Sequence, residues 1–236
     1  MSIEPLGDSA LIVRVVDDFA RDPEASLDAV QAALRSLEAA AIPGVTELAP
    51  AYSTIGVFFN VVETARAAGG EGALPWLSAR IESALQTRTA RDRQEIETPV
   101  IEIPVCYDRE FAFDIDDVAR VAGLAGTDVI RRHASAAYRV ACVGFIGGFP
   151  FLSGLPAELA TPRRAVPRKE VPAGSVAIGG AQTGIYPRIS PGGWNVIGRT
   201  PLRLFDVQRE PPTILQTGDR VRFREISRAE FDTFPR

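Results

Sequence analysis

The sequence has little of what binds metal ions or forms disulfides. Among its 236 residues there are two cysteines, Cys106 and Cys142, and one histidine, His133. Both cysteines lie in apolar, strand-like segments without Cys-x-x-Cys spacing, which indicates reduced core residues rather than a disulfide or a metal pair. With one histidine and no cysteine cluster, we expect no metal site.

A surplus of positive charge and long apolar runs are missing too. The 26 basic residues face 30 acidic ones, a net charge of -4, so the overall charge does not favour nucleic acid or an anionic membrane as a partner. No segment approaches the roughly 20 apolar residues of a membrane span, and the N-terminus lacks the basic and apolar regions of a signal peptide. We expect a cytoplasmic protein that binds neither nucleic acid nor membrane.

A phosphate-binding loop of the form G-x-x-x-x-G-K-[ST] is also absent. This is the common short motif by which a chain holds the phosphates of a nucleotide. We therefore expect no cofactor to be bound through a recognisable motif in this chain.

The first part of the chain alternates between strand and helix patterns. In two segments apolar residues recur every three or four positions, which predicts two amphipathic helices. The segments are, in order, ALIVRVV, SLDAVQAALRSLEAA, VTELAP, TIGVFFN, LPWLSARIESALQ and PVIEIPV. Their order, βαββαβ, predicts a ferredoxin-like domain over residues 1–106, an antiparallel sheet with both helices on one face. The charged residues 87–95 are expected to form a solvated connection before the last strand.

The pattern changes after Cys106. Two short helices are predicted, with Asp114 and Thr127 as N-caps. Beyond them, residues 144–198 hold eleven of the 20 glycines and seven of the 18 prolines. Short apolar runs separated by turn signals there predict a β-barrel or sandwich. We therefore place a second, mainly β domain at residues 107–236 and predict an α+β protein.

Three segments of the second domain carry a resemblance to a known family. They are GFIGGFPFLSGLP, TPRRAVPRKEVPAGSVAIGG and AQTGIYPRISPGGWNVIGRT, and the earlier runs LGDSALIV, IPGVTELAPAY and IEIPVCY stand where that family has similar runs. Together they resemble the family of the B component of 5-oxoprolinase, which includes the allophanate hydrolase subunit 1 domain and the sporulation kinase inhibitors. Several ordered motifs over nearly the whole chain make this match more specific than a single short pattern.

The resemblance implies a cyclophilin-like β-barrel for residues 107–236 and a role in a complex. Family members assemble with a homologous barrel protein, the C component, and with a separate A component, and the complex uses ATP to open 5-oxoproline to glutamate. The resemblance thus implies that the assembled complex consumes ATP, and we expect the isolated chain to be inactive. Two alternatives stay open: a subunit that acts on allophanate or another urea derivative, and a binding protein that inhibits a histidine kinase.

One segment departs from the pattern of the family. Where the family has GFxPGFPYL, this sequence has GFIGGFPFL, with Gly147 in place of the proline and Phe151 in place of the tyrosine. Loss of the proline frees the φ angle at that position, and loss of the tyrosine removes a hydroxyl. The change bears on substrate specificity.

Residue chemistry and the resemblance together select three candidate catalytic residues. His133 matches a histidine in the family's helix before the GF motif, and its usual pKa suits proton transfer, with packing or capping as the alternative. Arg163 and Arg164, enclosed by Pro162 and Pro167, could bind a carboxylate or a phosphate, and a solvated loop would look similar.

The stretch GGAQTGIYPRISPGGW, residues 179–194, mixes glycine and proline with polar and aromatic side chains. The corners and strand breaks of a barrel explain the glycines and prolines. A pocket explains the other residues better, because it combines amide and hydroxyl donors with an aromatic wall. We predict Gln182, Thr183, Tyr186 and Trp194 as binding residues for a small amide substrate.

Overall fold

The computed structural model describes residues 1–70, 72–86 and 99–235, in two units, Met1–Glu97 and Thr98–Arg236. The connection predicted at residues 87–95 lies outside these ranges. Both units combine helices with a sheet, which confirms the α+β class. Within the described ranges, none of the helices has both the length and the apolar character needed to cross a bilayer.

The described part of the first unit is a four-stranded sheet with helices. Its strands are β1 (Ser2–Pro5), β2 (Ala10–Arg14), β3 (Val45–Ala51) and β4 (Thr54–Phe59), and its helices are α1 (Pro23–Ala40), α2 (Val61–Ala68) and α3 (Ala73–Gln86). The sheet has the order β1-β2-β4-β3, with antiparallel neighbours. Val30 of α1 and Leu77 and Ile81 of α3 lie in one apolar core, as their helical spacing predicts.

The last strand of the predicted βαββαβ arrangement is assigned wrongly. The fourth strand of the first sheet is β1, which pairs with β2. The segment predicted to close that sheet is β5 (Val100–Val105), which pairs in parallel with β13 (Arg220–Glu225) in the second unit. Ile103 and Val105 are buried in the core of that unit. Pattern order cannot predict this, because a strand's partner is decided by packing against distant residues.

The second unit is built on a seven-stranded sheet that almost closes on itself. Besides β5 and β13, the described part of the second unit contains seven strands, which are β6 (Tyr138–Val143), β7 (Pro150–Ser153), β8 (Arg168–Val171), β9 (Ser175–Gly179), β10 (Gln182–Ile185), β11 (Ser190–Gly192) and β12 (Asn195–Arg199). Its helices are α4 (Ile115–Ala122), α5 (Gly126–Ser135) and α6 (Arg228–Thr233), with a short 3-10 helix at Ala157–Leu159.

The order of this sheet is β12-β9-β10-β7-β6-β13-β5, while β8 and β11 form a separate pair. Its two edges meet just beyond β5, where the Cys106 N–H donates to the Arg199 carbonyl oxygen at 2.8 Å. In return, the Arg199 N–H donates to the Cys106 oxygen at 2.9 Å. This confirms the barrel predicted for the second part of the chain.

Two glycines of the second unit make room for aromatic rings. A Cβ atom on Gly179 would lie 2.5 Å from the indole ring of Trp194, and one on Gly192 would lie 2.2 Å from Tyr186 Oη. Contacts this short exclude any side chain unless the ring moves, because the interior is close-packed. These glycines therefore let the two rings pack directly on strand backbones.

We expect residues 98–236 to fold without the first unit and residues 107–236 not to fold. The shorter fragment lacks β5, which supplies Ile103 and Val105 to the core and pairs with β13 along its whole length. Thermal unfolding followed by circular dichroism should show a cooperative transition for the longer fragment alone. A cooperative transition in the shorter fragment would contradict the assignment of β5 to this unit.

Candidate functional site

The side chain of His133 is buried among helix and barrel residues. Its Nδ1 lies 2.9 Å from Tyr107 Oη and its Nε2 lies 3.0 Å from Thr183 Oγ1, and its ring stacks on Phe223 at a centroid distance of 4.5 Å. The Thr183 hydroxyl donates its one hydrogen to the Ala177 oxygen at 3.0 Å. The histidine Nε2–H therefore donates to Thr183, and Nδ1 accepts from Tyr107.

This environment keeps the imidazole neutral. Burial lowers the pKa of His133 to about 3, and the side chain has no exposed surface. A general base needs a pKa near the working pH and access to the substrate. The structure therefore favours the packing role of His133, with Thr183 as its interior partner.

The carboxylate of Asp114 binds two arginines that are distant in sequence. Its oxygens accept from Arg164 Nη1 at 2.5 Å and from Arg168 Nη1 and Nη2 at 2.7 and 2.8 Å. The Val196 N–H also donates to it, at 2.7 Å. Asp114 occupies the predicted N-cap position of α4, but its side chain makes no capping bond there. Thr127, predicted to cap α5, lies inside that helix.

Arg163 is the exposed arginine of the TPRR segment. Its guanidinium carbon lies 5.7 Å from the centroid of the Trp194 ring, which is cation–π distance. Within the described ranges no carboxylate forms an ion pair with it, whereas Arg164 is bound to Asp114. Of the two arginines predicted to bind an anion, Arg163 is the one whose charge is available to a ligand.

Trp194 belongs to a cluster of aromatic rings that the GFIGGFPFL segment shares with strand residues. Phe149 contacts Trp194 and Tyr186 edge to face at centroid distances of 5.5 and 5.1 Å, and Phe151 contacts Trp194 at 5.7 Å. Burial raises the pKa of the Tyr186 hydroxyl, while a backbone hydrogen bond from Trp194 and nearby arginine charges lower it. Phe151, which replaces a tyrosine of the family pattern, leaves no hydroxyl at its contact with the indole.

The structure divides the predicted site residues into two groups. One group, next to the aromatic cluster, consists of Arg163, Tyr186 and Trp194, with Arg164 held on Asp114. The other group consists of His133 and Thr183, which contact each other, with Gln182 half-buried beside Thr183 on β10. Tyr186 and Trp194 of the first group are buried as well, so burial alone does not separate the two groups. The contacts described above join His133 and Thr183 to Tyr107, Phe223 and Ala177. We take the first group as the candidate site because it holds the exposed cation of Arg163.

Sequence reasoning missed the role of Asp114. An aspartate before an amphipathic segment is the usual sign of a helix cap, and its partners lie 50 and 54 residues away. A buried charge leaves no periodic signal in a single sequence. The signal in the sequence that could have indicated this role is the presence of Arg164 and Arg168 in one short segment. An arginine that loses much of its hydration on folding needs an acidic partner.

Comparisons with known proteins agree over nearly the whole chain. A family model described as carboxyltransferase domain, subdomain C and D, matches residues 1–215. The B component of 5-oxoprolinase from Bacillus subtilis (strain 168) is 38% identical over 232 residues, which cover 98% of this chain and 95% of that protein.

Solved structures extend the likeness. The crystal structure of TTHA0988 is similar with a TM-score of 0.75 and 34% identity, covering 92% of this chain, and this chain spans 40% of that one. The urea carboxylase of Kluyveromyces lactis has a TM-score of 0.70 at 18% identity, covering 98% of this chain and 22% of its own. That second likeness concerns the fold.

We expect the single histidine to make stability depend on pH. In the unfolded chain its pKa returns to about 6.5, while in the folded protein it is about 3. Between these values the unfolded state binds more protons than the folded state. The contribution of His133 to the free energy of unfolding is therefore complete above about pH 6.5 and decreases as the pH falls below that value. The loss attributable to His133 is about 2 kcal/mol between pH 8 and pH 5.

Urea unfolding of the parent protein and of His133→Gln, at both pH values, measures this contribution. The variant has no imidazole to titrate, so the difference in unfolding free energy between the two proteins should change by about 2 kcal/mol. A difference that does not change with pH would show an imidazole that titrates normally, as a solvent-accessible catalytic histidine would.

Proposed function

The chain belongs to the carboxyltransferase domain, subdomain C and D, family, and from this we propose that it is the B component of an ATP-dependent 5-oxoprolinase complex. The complex opens the lactam of 5-oxoproline to give glutamate. The observation that supports the proposal most strongly is the 38% sequence identity to the B component of the Bacillus subtilis 5-oxoprolinase, which extends along nearly the whole length of both chains.

The chemistry of the reaction sets what the complex must supply. An anionic substrate has to be held, the developing oxyanion needs hydrogen-bond donors, and water needs a base. In this chain the available cation of Arg163 answers the first requirement, while the buried, neutral His133 does not answer the last. We therefore assign substrate binding to this chain and the activation of water to its partners.

Arg163 and the aromatic cluster suit the two halves of 5-oxoproline. The Arg163 guanidinium lies over the Trp194 ring at 5.7 Å from its centroid, and two N–H groups of a guanidinium can bind one carboxylate. Trp194, Tyr186 and Phe149 are buried, so the lactam ring would lie against Phe145, the exposed ring whose centroid is 5.8 Å from that of Phe149. The carboxylate would thus be bound by charge and the ring by apolar contact.

The partners in this proposal are the homologous barrel protein that forms the C component and the protein that forms the A component. ATP binding is assigned to the assembled complex, because this sequence contains no phosphate-binding loop motif. The complex would act in the cytoplasm, where ATP is available. A urea derivative is the rival substrate, and inhibition of a histidine kinase is the rival role.

We expect the purified chain neither to hydrolyse ATP nor to consume 5-oxoproline, and we expect coexpression with the C and A components to give a stable complex that does both. The measurement is glutamate release with and without ATP, with allophanate as the alternative substrate. Activity of the isolated chain would overturn the dependence on partners. A well-formed complex that turns over allophanate and leaves 5-oxoproline intact would overturn the substrate.

We expect Arg163→Ala to lower kcat/KM of the complex for 5-oxoproline at least about tenfold, because a charge-assisted hydrogen bond to the substrate is lost. The melting temperature should change little, since the side chain is exposed and its contact with the indole contributes about 1 kcal/mol at most. The matched control is Arg109→Ala, whose side chain is 85% exposed and pairs with Asp116 at the surface. Equal kcat/KM in the two variants would remove Arg163 from the site.

A further inference from the structure

We propose that Asp114 and Asn195 are positioning residues that hold Arg163 over Trp194 and keep the neighbouring arginines from a bound anion. The identity of that anion as the carboxylate of 5-oxoproline rests on the proposed function. The positioning itself rests on the contacts of residues 162–168 with β12 and with the residues just before it.

Two hydrogen bonds hold the segments that carry Arg163 and Trp194 side by side. The Arg164 N–H donates to the Gly193 oxygen at 2.7 Å, and Asn195 Nδ2 donates to the Pro162 oxygen at 2.9 Å. Arg163 lies between Pro162 and Arg164, and Trp194 lies between Gly193 and Asn195. The residues on either side of Arg163 are therefore hydrogen-bonded to the residues on either side of Trp194, which keeps the guanidinium next to the indole.

Asn195 is suited to this position because it has two N–H donors on one nitrogen. The same Nδ2 also donates to the Ile178 oxygen at 3.2 Å, so the side chain links Pro162 to strand β9. It is 4% exposed. Alanine at this position would remove the donor to both carbonyl oxygens, of which the Ile178 oxygen is in a buried place and the Pro162 oxygen in a part-buried one. A buried acceptor that loses its donor is costly.

Asp114 fixes the other end of the same loop. Its carboxylate is 1% exposed and binds Arg164, Arg168 and the Val196 N–H together. Separating a buried carboxylate from its cations is strongly unfavourable. Arg164 and Arg168 therefore stay on Asp114 when an anion approaches, and Arg163 is the loop arginine that receives it.

A purely structural role for these two residues would change stability alone. A positioning role also changes how Arg163 covers Trp194, and the chain allows this to be observed. It has two tryptophans, Trp76 and Trp194, and Trp76 lies in α3 of the first unit. In a Trp76→Phe background, fluorescence reports on Trp194 alone.

The experiment measures acrylamide quenching of Trp194 in the full chain with Trp76→Phe. Arg163→Ala sets the value for an indole without its guanidinium, which we expect to be quenched more strongly. Asp114→Asn and Asn195→Ala should each move the quenching constant at least about halfway to that value, because they release the loop. Asp128→Asn removes the exposed partner of Arg131 on α5 and should leave the constant unchanged.

Arg168→Lys decides the matter if Asp114→Asn does not fold. The Arg168 side chain is 24% exposed. The variant keeps its positive charge but loses the bidentate pair of hydrogen bonds to the Asp114 carboxylate. We expect it to shift the quenching constant in the same direction as Asn195→Ala. Parental quenching in folded Asn195→Ala and in either folded Asp114→Asn or Arg168→Lys would overturn the proposal.

The assembled complex gives a second readout. In Asn195→Ala the KM for 5-oxoproline should rise at least about fivefold and by a larger factor than kcat falls, because a loosened Arg163 weakens substrate binding first. A lower kcat at parental KM would contradict the positioning role. If the parental complex is inert toward 5-oxoproline, the proposed function fails, and the fluorescence result still decides whether Asp114 and Asn195 position Arg163.

Discussion

The Asp114 carboxylate is almost entirely removed from water, and a charge in that position requires cations and hydrogen-bond donors around it. Arg164, Arg168 and the Val196 N–H provide them. Meeting this requirement holds residues 162–168 against strand β12, and that contact brings Arg163 to Trp194. Because Asp114 binds Arg164, Arg163 is the arginine of the TPRR segment that remains available to a ligand.

The aromatic part of the site depends on two barrel residues that have no side chain. Gly179 and Gly192 leave the space in which Trp194 and Tyr186 lie on the strand backbones. The rings then contact Phe149 from the GFIGGFPFL segment. Two motifs that are far apart in sequence therefore form one aromatic cluster, with the guanidinium of Arg163 beside it. The three rings are buried, and Phe145, whose ring contacts Phe149, is an exposed member of the cluster.

Local patterns in the sequence predicted the amphipathic helices, the turn-rich barrel and the α+β class, because these depend on spacing and turn residues. They could not predict that Val100–Val105 joins the second sheet, since a strand's partner depends on distant packing. The same limit applies to Asp114, whose partners lie 50 and 54 residues away. For His133, the usual pKa suggested proton transfer, but burial determines the actual pKa, and burial is a property of the fold.

The proposed substrate site of the 5-oxoprolinase complex consists of Arg163 and the aromatic cluster around Trp194. The most direct test is an experimental structure of the assembled three-component complex with 5-oxoproline bound. We expect the carboxylate within hydrogen-bond distance of the Arg163 guanidinium, with the lactam ring against the aromatic cluster. A substrate bound elsewhere, with Arg163 left in solvent and Asp114 still holding its two arginines, would contradict it.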